Sequence, residues 1–299
     1  MIYTFTLNPS IDHYVVTDGY IKENKTNRAE KTYTVCGGKG INVSLACKAL
    51  GIKTVCCGIY GGFTGDKLLS ELDKSGIEHR FVKVKADTRI NTKLLNNGKV
   101  TEINAPAPEL DGEEVKSVIS LFDVLKPGDT AVLSGSIPGT DGLLSGILDK
   151  IKEKKAEFII DTSGKAFEKC IEYKPYLVKP NRAEISSYFG CDIKPEQIPV
   201  YAEKLIRKGV KYALVSDGEN GAYLADENEV RYLPVNDLGL TAKNATGAGD
   251  SMIAGYLYGI EKGLDALVCA VSAGSAAAYS ELLFDKSLFD VVIKSYTAV

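Results

Sequence analysis

Asp250 stands next to last in the run Asn-Ala-Thr-Gly-Ala-Gly-Asp-Ser at 244–251, and an apolar helical stretch at 252–258 follows at once. Two glycines let the chain turn tightly and come close to a ligand, and the free amides of a helix start favour an anion. A carboxylate placed there can accept a hydroxyl proton while the amides of Gly247, Ala248 and Gly249 stabilise negative charge on a phosphoryl group in transfer. The plain alternative is an aspartate capping a helix after a glycine-rich turn.

A second run, Cys-Gly-Gly-Lys-Gly-Ile-Asn-Val-Ser at 36–44, has the same character. Gly37, Gly38 and Gly40 bring backbone close to a ligand, Lys39 adds a positive charge, and Asn42 can both donate and accept. An ordinary turn before a helix would read the same way. The chain contains no G-x-x-x-x-G-K-[ST], so this is no Walker A loop. Position 252 is Met, so Gly247-Ala-Gly249 does not extend to the dinucleotide fingerprint G-x-G-x-x-G.

Other candidates are weaker singly. Asp12, after Asn8-Pro9-Ser10, could bind sugar hydroxyls or be a turn residue. Arg89 and Arg28 could pin a substrate phosphate through paired donors, or be solvated surface charges. In Lys179-Pro-Asn-Arg-Ala-Glu184 the pair Asn181 and Glu184 stands three apart. That spacing suits both Mg²⁺ or its waters beside nucleotide phosphates and a helix-start capping box, the capping role weighing slightly more on local pattern. Ser216-Asp-Gly-Glu-Asn-Gly221 could wrap a nucleotide or join two strands. Ser136 falls in a loop closing a buried strand, outside any G-x-S-x-G elbow.

These residues need elements to hold them. Short apolar runs at 2–7, 54–59, 130–134, 157–161, 176–178 and 212–216 read as strands buried on both faces. Helical stretches lie between them, among them 41–50 stopped by Gly51 and 67–74 stopped by Gly76. The alternation predicts an α/β fold, a mainly parallel sheet covered by helices on both faces, with ligands beyond the carboxyl ends of its strands. Residues 13–35 and 88–104 break the rhythm. Asn96-Asn97-Gly98 between two extended runs is a hairpin signal. These segments are expected to form a small β lid on one α/β domain spanning 1–299. Helices at 248–259, 264–280 and 287–296 end the chain.

Composition narrows the class. With 299 residues, 36 Lys+Arg against 39 Asp+Glu and a net charge of −3, no broad basic face for nucleic acid is expected. Seven irregularly spaced cysteines form no disulfide framework, and two histidines make zinc chemistry improbable. No secretory start precedes the first strand, and the apolar stretch 266–278 is too short to span a membrane. A cytoplasmic, soluble protein is expected.

Taken together, Asn8-Pro-Ser-Ile-Asp12, Gly37-Gly-Lys-Gly-Ile-Asn-Val43, Ser134-Gly-Ser-Ile-Pro138, Asp161-Thr-Ser-Gly164, Lys179-Pro-Asn181 with Glu184, and Gly247-Ala-Gly-Asp250 resemble the PfkB family of ribokinase-like sugar kinases over nearly the whole chain. The resemblance implies a doubly wound fold with a β lid and ATP-dependent phosphorylation with Mg²⁺. Gly-Gly-Lys-Gly, Thr88-Arg-Ile-Asn91 and Thr101-Glu-Ile-Asn104 are most similar to members acting on fructose 1-phosphate, then to those acting on tagatose 6-phosphate. It further implies Asp250 as base and Gly247, Ala248 and Gly249 as anion hole. Asp12, Gly37, Gly38, Lys39, Asn42 and Arg89, with Arg28 and Ser136, would contact the phosphosugar. Asn181 and Glu184 would serve Mg-phosphate, and Lys179, Ser216, Gly218, Gly221, Thr246 and Gly249 the nucleotide. Asp217 stands where the family usually has an apolar residue, and 280–284 lacks a common Gly/Thr-rich loop. Pairing of two lids into a homodimer is expected. The rivals are a non-catalytic phosphosugar-binding regulator and a nucleoside or vitamin kinase of the same fold.

Overall fold

Strand and helix alternate from the first residues of the computed structural model, which describes residues 1–96, 99–243, 246–281 and 283–297. The first half runs β1 (Ile2–Thr6), β2 (Ser10–Thr17), β3 (Lys31–Gly37), α1 (Lys39–Ala49), β4 (Thr54–Tyr60), α2 (Gly62–Lys74), β5 (His79–Lys83), β6 (Arg89–Asn96), β7 (Lys99–Ile103), α3 (Gly112–Ser120) and β8 (Thr130–Ser134). It continues with α4 (Leu143–Glu153), β9 (Glu157–Asp161), α5 (Gly164–Glu172), β10 (Leu177–Val178), α6 (Arg182–Phe189), α7 (Ile198–Arg207), β11 (Tyr212–Ser216), β12 (Ala222–Ala225) and β13 (Val230–Leu233). Three helices follow: α8 (Ala248–Lys262), α9 (Ala266–Tyr279) and α10 (Lys286–Thr297).

The large sheet has the order β13-β12-β11-β10-β9-β8-β1-β4-β5. It is parallel from β5 to β11, and β12 and β13 add an antiparallel edge. The period of two divides each strand between two cores. Phe158 and Ile160 of β9 pack with α3, α4, α5 and α7, whereas Ile159 packs on the other face with α1, α8 and α9. Each such fully buried side chain contributes about 1.5–3 kcal/mol, which is why these strands read as continuous apolar runs. All six strands expected from sequence are present. The edge strands β12 and β13, four residues each, were not anticipated.

Chain order reverses at β1. The chain passes to β4 and β5 on one side, then returns to β8 on the other. The crevice beyond the carboxyl ends of β1 and β8 is therefore the expected ligand position. A four-stranded sheet, β3-β2-β6-β7, stands over this crevice. Its inner strands β2 and β6 are parallel, and β3 and β7 pair antiparallel outside them. The expected hairpin is present as β6 and β7, while the expected turn residues Asn97 and Gly98 lie outside the described residues, as do Asn244 and Ala245. The small sheet begins at Ser10, so Asp12 stands on a lid strand and not in a turn. Among the described residues, no helix is long and apolar enough to cross a membrane.

Candidate active site

The lid meets the body at the end of β1. Asn8 Nδ2 donates to Ser136 Oγ across the crevice at 2.8 Å. On β2, Asp12 Oδ1 accepts from Ser10 Oγ at 2.7 Å and from Asn91 Nδ2 of β6 at 2.9 Å. These bonds, rather than local turn contacts, fix the carboxylate. Gly37 makes room for it, since a Cβ there would lie 2.7 Å from Asp12 Oδ1. Arg89 donates from Nη1 to the Ala105 carbonyl (2.9 Å) and from Nη2 to the Asn8 carbonyl (3.1 Å), stitching the lid exit to β1. Its Nε is buried without a partner.

Two helices point their amino termini at this crevice. Gly38, at φ 132°, precedes α1, and Gly40 lets that helix lie on β1, where a Cβ would stand 2.8 Å from the Phe5 carbonyl. Gly247, at φ 82°, is the cap residue of α8, which excludes the capping reading of Asp250. Asp250 is the third residue of α8, is 5% exposed, and its Oδ2 accepts from Asn42 Nδ2 at 2.8 Å. Burial, reinforced by Asp161, pushes its carboxyl up to about 7; Asn42, Lys39 and Lys179 pull the other way. A carboxylate poised near neutrality suits a general base.

Behind Asp250 lies a buried charge cluster. Asp161, at the end of β9, is fully enclosed, and its Oδ1 meets Lys39 Nζ at 3.2 Å and Lys179 Nζ at 3.3 Å. Burial would raise the Asp161 carboxyl, but Lys179 and Lys39 outweigh it and hold the group low. Burial likewise opposes the charge on Lys39, and the Asp161 and Asp250 carboxylates outweigh it and raise that group. The cluster thus favours the charged forms of Lys39 and Asp161. Asp161 Oδ2 is buried without a hydrogen-bond partner.

Lys179 leads out of β10 into α6. Asn181 caps α6: its side chain accepts from the Glu184 N–H at 2.9 Å, and Glu184 Oε2 accepts from the Asn181 N–H at 2.8 Å. The capping reading of this pair is therefore realised. Both side chains also face a cavity of about 530 Å³, with Ser216, Gly218 and Gly221 opposite. Val235, Met252, Val271 and Tyr279 add apolar wall to the same cavity, as a flat heterocycle would need.

A second cavity of about 410 Å³ lies under the lid and is lined by Asp12, Gly38, Asn42, Arg89, Ser136 and Thr246. Lys39, Gly247 and Asp250 line both cavities, which therefore meet at the start of α8. Most candidate residues are thereby brought together. Arg28 is not: it is exposed on the segment 18–30 and lines neither cavity. Gly37 sits behind Asp12 rather than on a wall, and Thr246, expected on the nucleotide side, lines the lid-side cavity. Sequence reasoning assigned no role to Asn8, Asn91, Asn104 or Asp161. All four occur only within the motifs that carry the family resemblance, and nothing local distinguishes them from other polar residues near strand ends.

A magnesium ion that accompanies nucleotide phosphates needs only one or two protein carboxylates and keeps several waters. Among the described residues no cluster of three or more acidic, His or Cys ligands forms a cage. The unpartnered Asp161 Oδ2 and the Glu184 carboxylate, both on the larger cavity, fit the lighter requirement.

The profile of the pfkB family carbohydrate kinases matches residues 6–280. The chain belongs to that family. It is a carbohydrate kinase, transferring phosphate to a hydroxyl group. Among its relatives, 1-phosphofructokinase of Bacillus subtilis is 39% identical over 95% of this chain and 94% of its own. D-tagatose-1-phosphate kinase of Bacillus licheniformis is 31% identical over 97% and 96%. Phosphofructokinase-2 of Escherichia coli, solved in complex with fructose 6-phosphate, superposes with a TM-score of 0.90 at 26% identity, covering 100% of this chain and 99% of the other. That enzyme has also been solved as a tetrameric inhibited form.

Proposed function

We propose that this kinase converts fructose 1-phosphate and MgATP into fructose 1,6-bisphosphate and MgADP. The observation that carries the reading is Asp250 at the junction of the two cavities, opposite Lys39. The sugar phosphate occupies the lid-side cavity, with Asp12 on its hydroxyls and Arg89, Asn42 and Ser136 toward its phosphate. ATP occupies the larger cavity, its base against the apolar wall and its phosphates toward Gly247, Ala248 and Gly249. Asp250 takes the proton of the 6-hydroxyl as that oxygen bonds to the γ-phosphorus and the bond to the β-phosphate oxygen breaks. The first-turn amides of α8 and Lys39 hold the charge that develops on the moving phosphoryl group. Glu184, fixed by Asn181, and Asp161 would hold Mg²⁺, which would supply positive charge against the nucleotide phosphates.

The ion clusters favour an anionic acceptor. An unphosphorylated nucleoside or vitamin would bring no anion to the Arg89 guanidinium, whose Nε is buried without a partner, or to Lys39 at the junction of the cavities. The relative named for tagatose 1-phosphate supports a second reading, in which the epimeric ketohexose 1-phosphate is preferred; tagatose 6-phosphate is a third acceptor to compare. A coupled ADP-release assay over these acceptors and unphosphorylated sugars tests the proposal. Highest kcat/KM on fructose 1-phosphate is expected. Binding of sugar phosphate with no ATP consumption would instead make the protein a regulator.

The same proposal includes a second copy of the chain covering the lid. Tyr33 and Val35 of β3, Ile90 of β6, and Val100 and Ile103 of β7 are all exposed there, and β3 and β7 are free edges. Light scattering should give twice the chain mass, and Val35→Lys should give the monomer. Both substrates are charged cytosolic metabolites, so the reaction is assigned to the cytoplasm.

A further inference from the structure

Asp217 is a buried carboxylate that the phosphotransfer does not use, its side chain only 4% exposed. Its Oδ1 accepts from Arg182 Nε at 2.5 Å and its Oδ2 from Asn220 Nδ2 at 2.9 Å. Arg182 also donates from Nη1 to the Ile193 carbonyl at 3.4 Å. Neither partner lines either of the two cavities, yet each sits beside residues that line the larger one. Asn181 and Glu184 flank Arg182, and Ser216 and Gly218 flank Asp217, all four on the larger cavity.

Little else ties these loops together. β10 contributes only two residues to the sheet beside them. Beyond it the backbones meet at one parallel bridge, Asn181 with Ser216, where the Ser216 N–H donates to the Pro180 carbonyl at 3.1 Å. On the far side of Asp217 the turn closes on itself, Asn220 N–H to the Asp217 carbonyl and Asp217 N–H to the Gly221 carbonyl. Removing Arg182 would leave an uncompensated carboxylate buried at the root of the turn, and the turn would move to solvate it; removing the Asp217 charge would leave the arginine, 39% exposed, free to swing into solvent and release α6 from the turn.

We propose that Arg182 and Asp217 form a positioning pair that sets the spacing of the two loops holding the nucleotide, and with it the affinity for ATP but not for the acceptor. The proposal rests on the reading of the larger cavity as the nucleotide site. Neither residue touches substrate; each acts through the loop it anchors.

The test compares wild type, Asp217→Asn, Arg182→Gln, Arg182→Lys and the double variant Arg182→Gln/Asp217→Asn. ADP binding is read by calorimetry; kcat and the two KM values come from the coupled assay. Asp217→Asn and Arg182→Gln should each weaken ADP binding and raise the KM for ATP about tenfold or more, about 1.4 kcal/mol. The KM for fructose 1-phosphate should stay at its wild-type value, Arg182→Lys should fall between, and the double variant should be no worse than the worse single one. Unchanged nucleotide affinity, an acceptor KM that rises in step, or additive effects would overturn the proposal. If a single variant melts below the assay temperature, Arg182→Met/Asp217→Leu replaces it, since that protein buries no lone charge. Weakened ADP binding with an unchanged acceptor KM then supports the pair, and wild-type ADP affinity overturns it. A wild-type protein that binds no ADP and phosphorylates no sugar would instead bring down the kinase reading itself.

Discussion

Lowering the pH through neutrality should switch the phosphotransfer off at Asp250. Burial beside Asp161 pushes this carboxyl up to about 7, and only its ionised form can accept a hydroxyl proton. With one such group in control, the ionised fraction falls about tenfold between pH 8 and pH 6, and kcat should fall with it. A sugar phosphate takes up its own proton near pH 6, so kcat at saturation, not kcat/KM, is the quantity to follow. Asp250→Asn separates geometry from basicity. The asparagine oxygen can still accept from Asn42 Nδ2, which lies 2.8 Å from the native carboxylate, while the base is lost. A drop in kcat of about 10²- to 10⁴-fold is expected, with no inflection near neutrality in the residual rate. Stability should move the other way. The folded protein holds this proton up to about 7 against an ordinary value of 3.8, so stability is lost as pH rises between those values and is lowest above them. The penalty above pH 7 is at most about 4 kcal/mol, and Asp250→Asn relieves it. Thermal melts should therefore show the variant above wild type at pH 8 and level with it near pH 4. A wild-type kcat flat down to about pH 5, a variant within about tenfold of wild type, or a variant that melts lower at pH 8 would refute the reasoning.

Lys39→Met should lower kcat about 10²- to 10³-fold, as loss of one charge-stabilising donor does. Because Lys39 also pulls the Asp250 carboxyl down, the residual pH profile should move to the alkaline side, and an unmoved profile would place Lys39 outside the cluster's electrostatics. Gly37→Ala adds a methyl 2.7 Å from Asp12 Oδ1. It should raise the acceptor KM about tenfold through the displaced carboxylate while the KM for ATP stays put, which steady-state kinetics will show. Glu184→Gln keeps the capping box, since glutamine serves at that position, but removes a charge. Melting should shift by less than about 0.5 kcal/mol while the Mg²⁺ needed for half-maximal rate rises about 10- to 100-fold. An unchanged Mg²⁺ requirement in a titration against EDTA-treated protein would leave Glu184 a helix cap alone.

Much of the fold follows from patterns confined to a few neighbouring residues. Strands buried on both faces must be apolar throughout, so 130–134 and 157–161 are legible without any partner in view. The glycines before α1 and α8 announce backbone that turns sharply and admits a ligand, and the spacing of Asn181 and Glu184 is enough for a capping box. The tertiary structure alone decides what meets at the centre. Asn42 reaches Asp250 across 208 residues, and Lys39 reaches Asp161 across 122. Such meetings depend on the order of strands in the sheet, which local periodicity does not contain. The same holds for Asp12, which becomes a lid residue only because β2 pairs with β6, and for Arg28, whose charge suggests a phosphate contact but whose segment lies away from both cavities. Asp217 shows the division most sharply. Alone in the sequence it is an acidic residue in a turn, and only the approach of α6 to the end of β11 supplies the arginine that makes its burial tolerable.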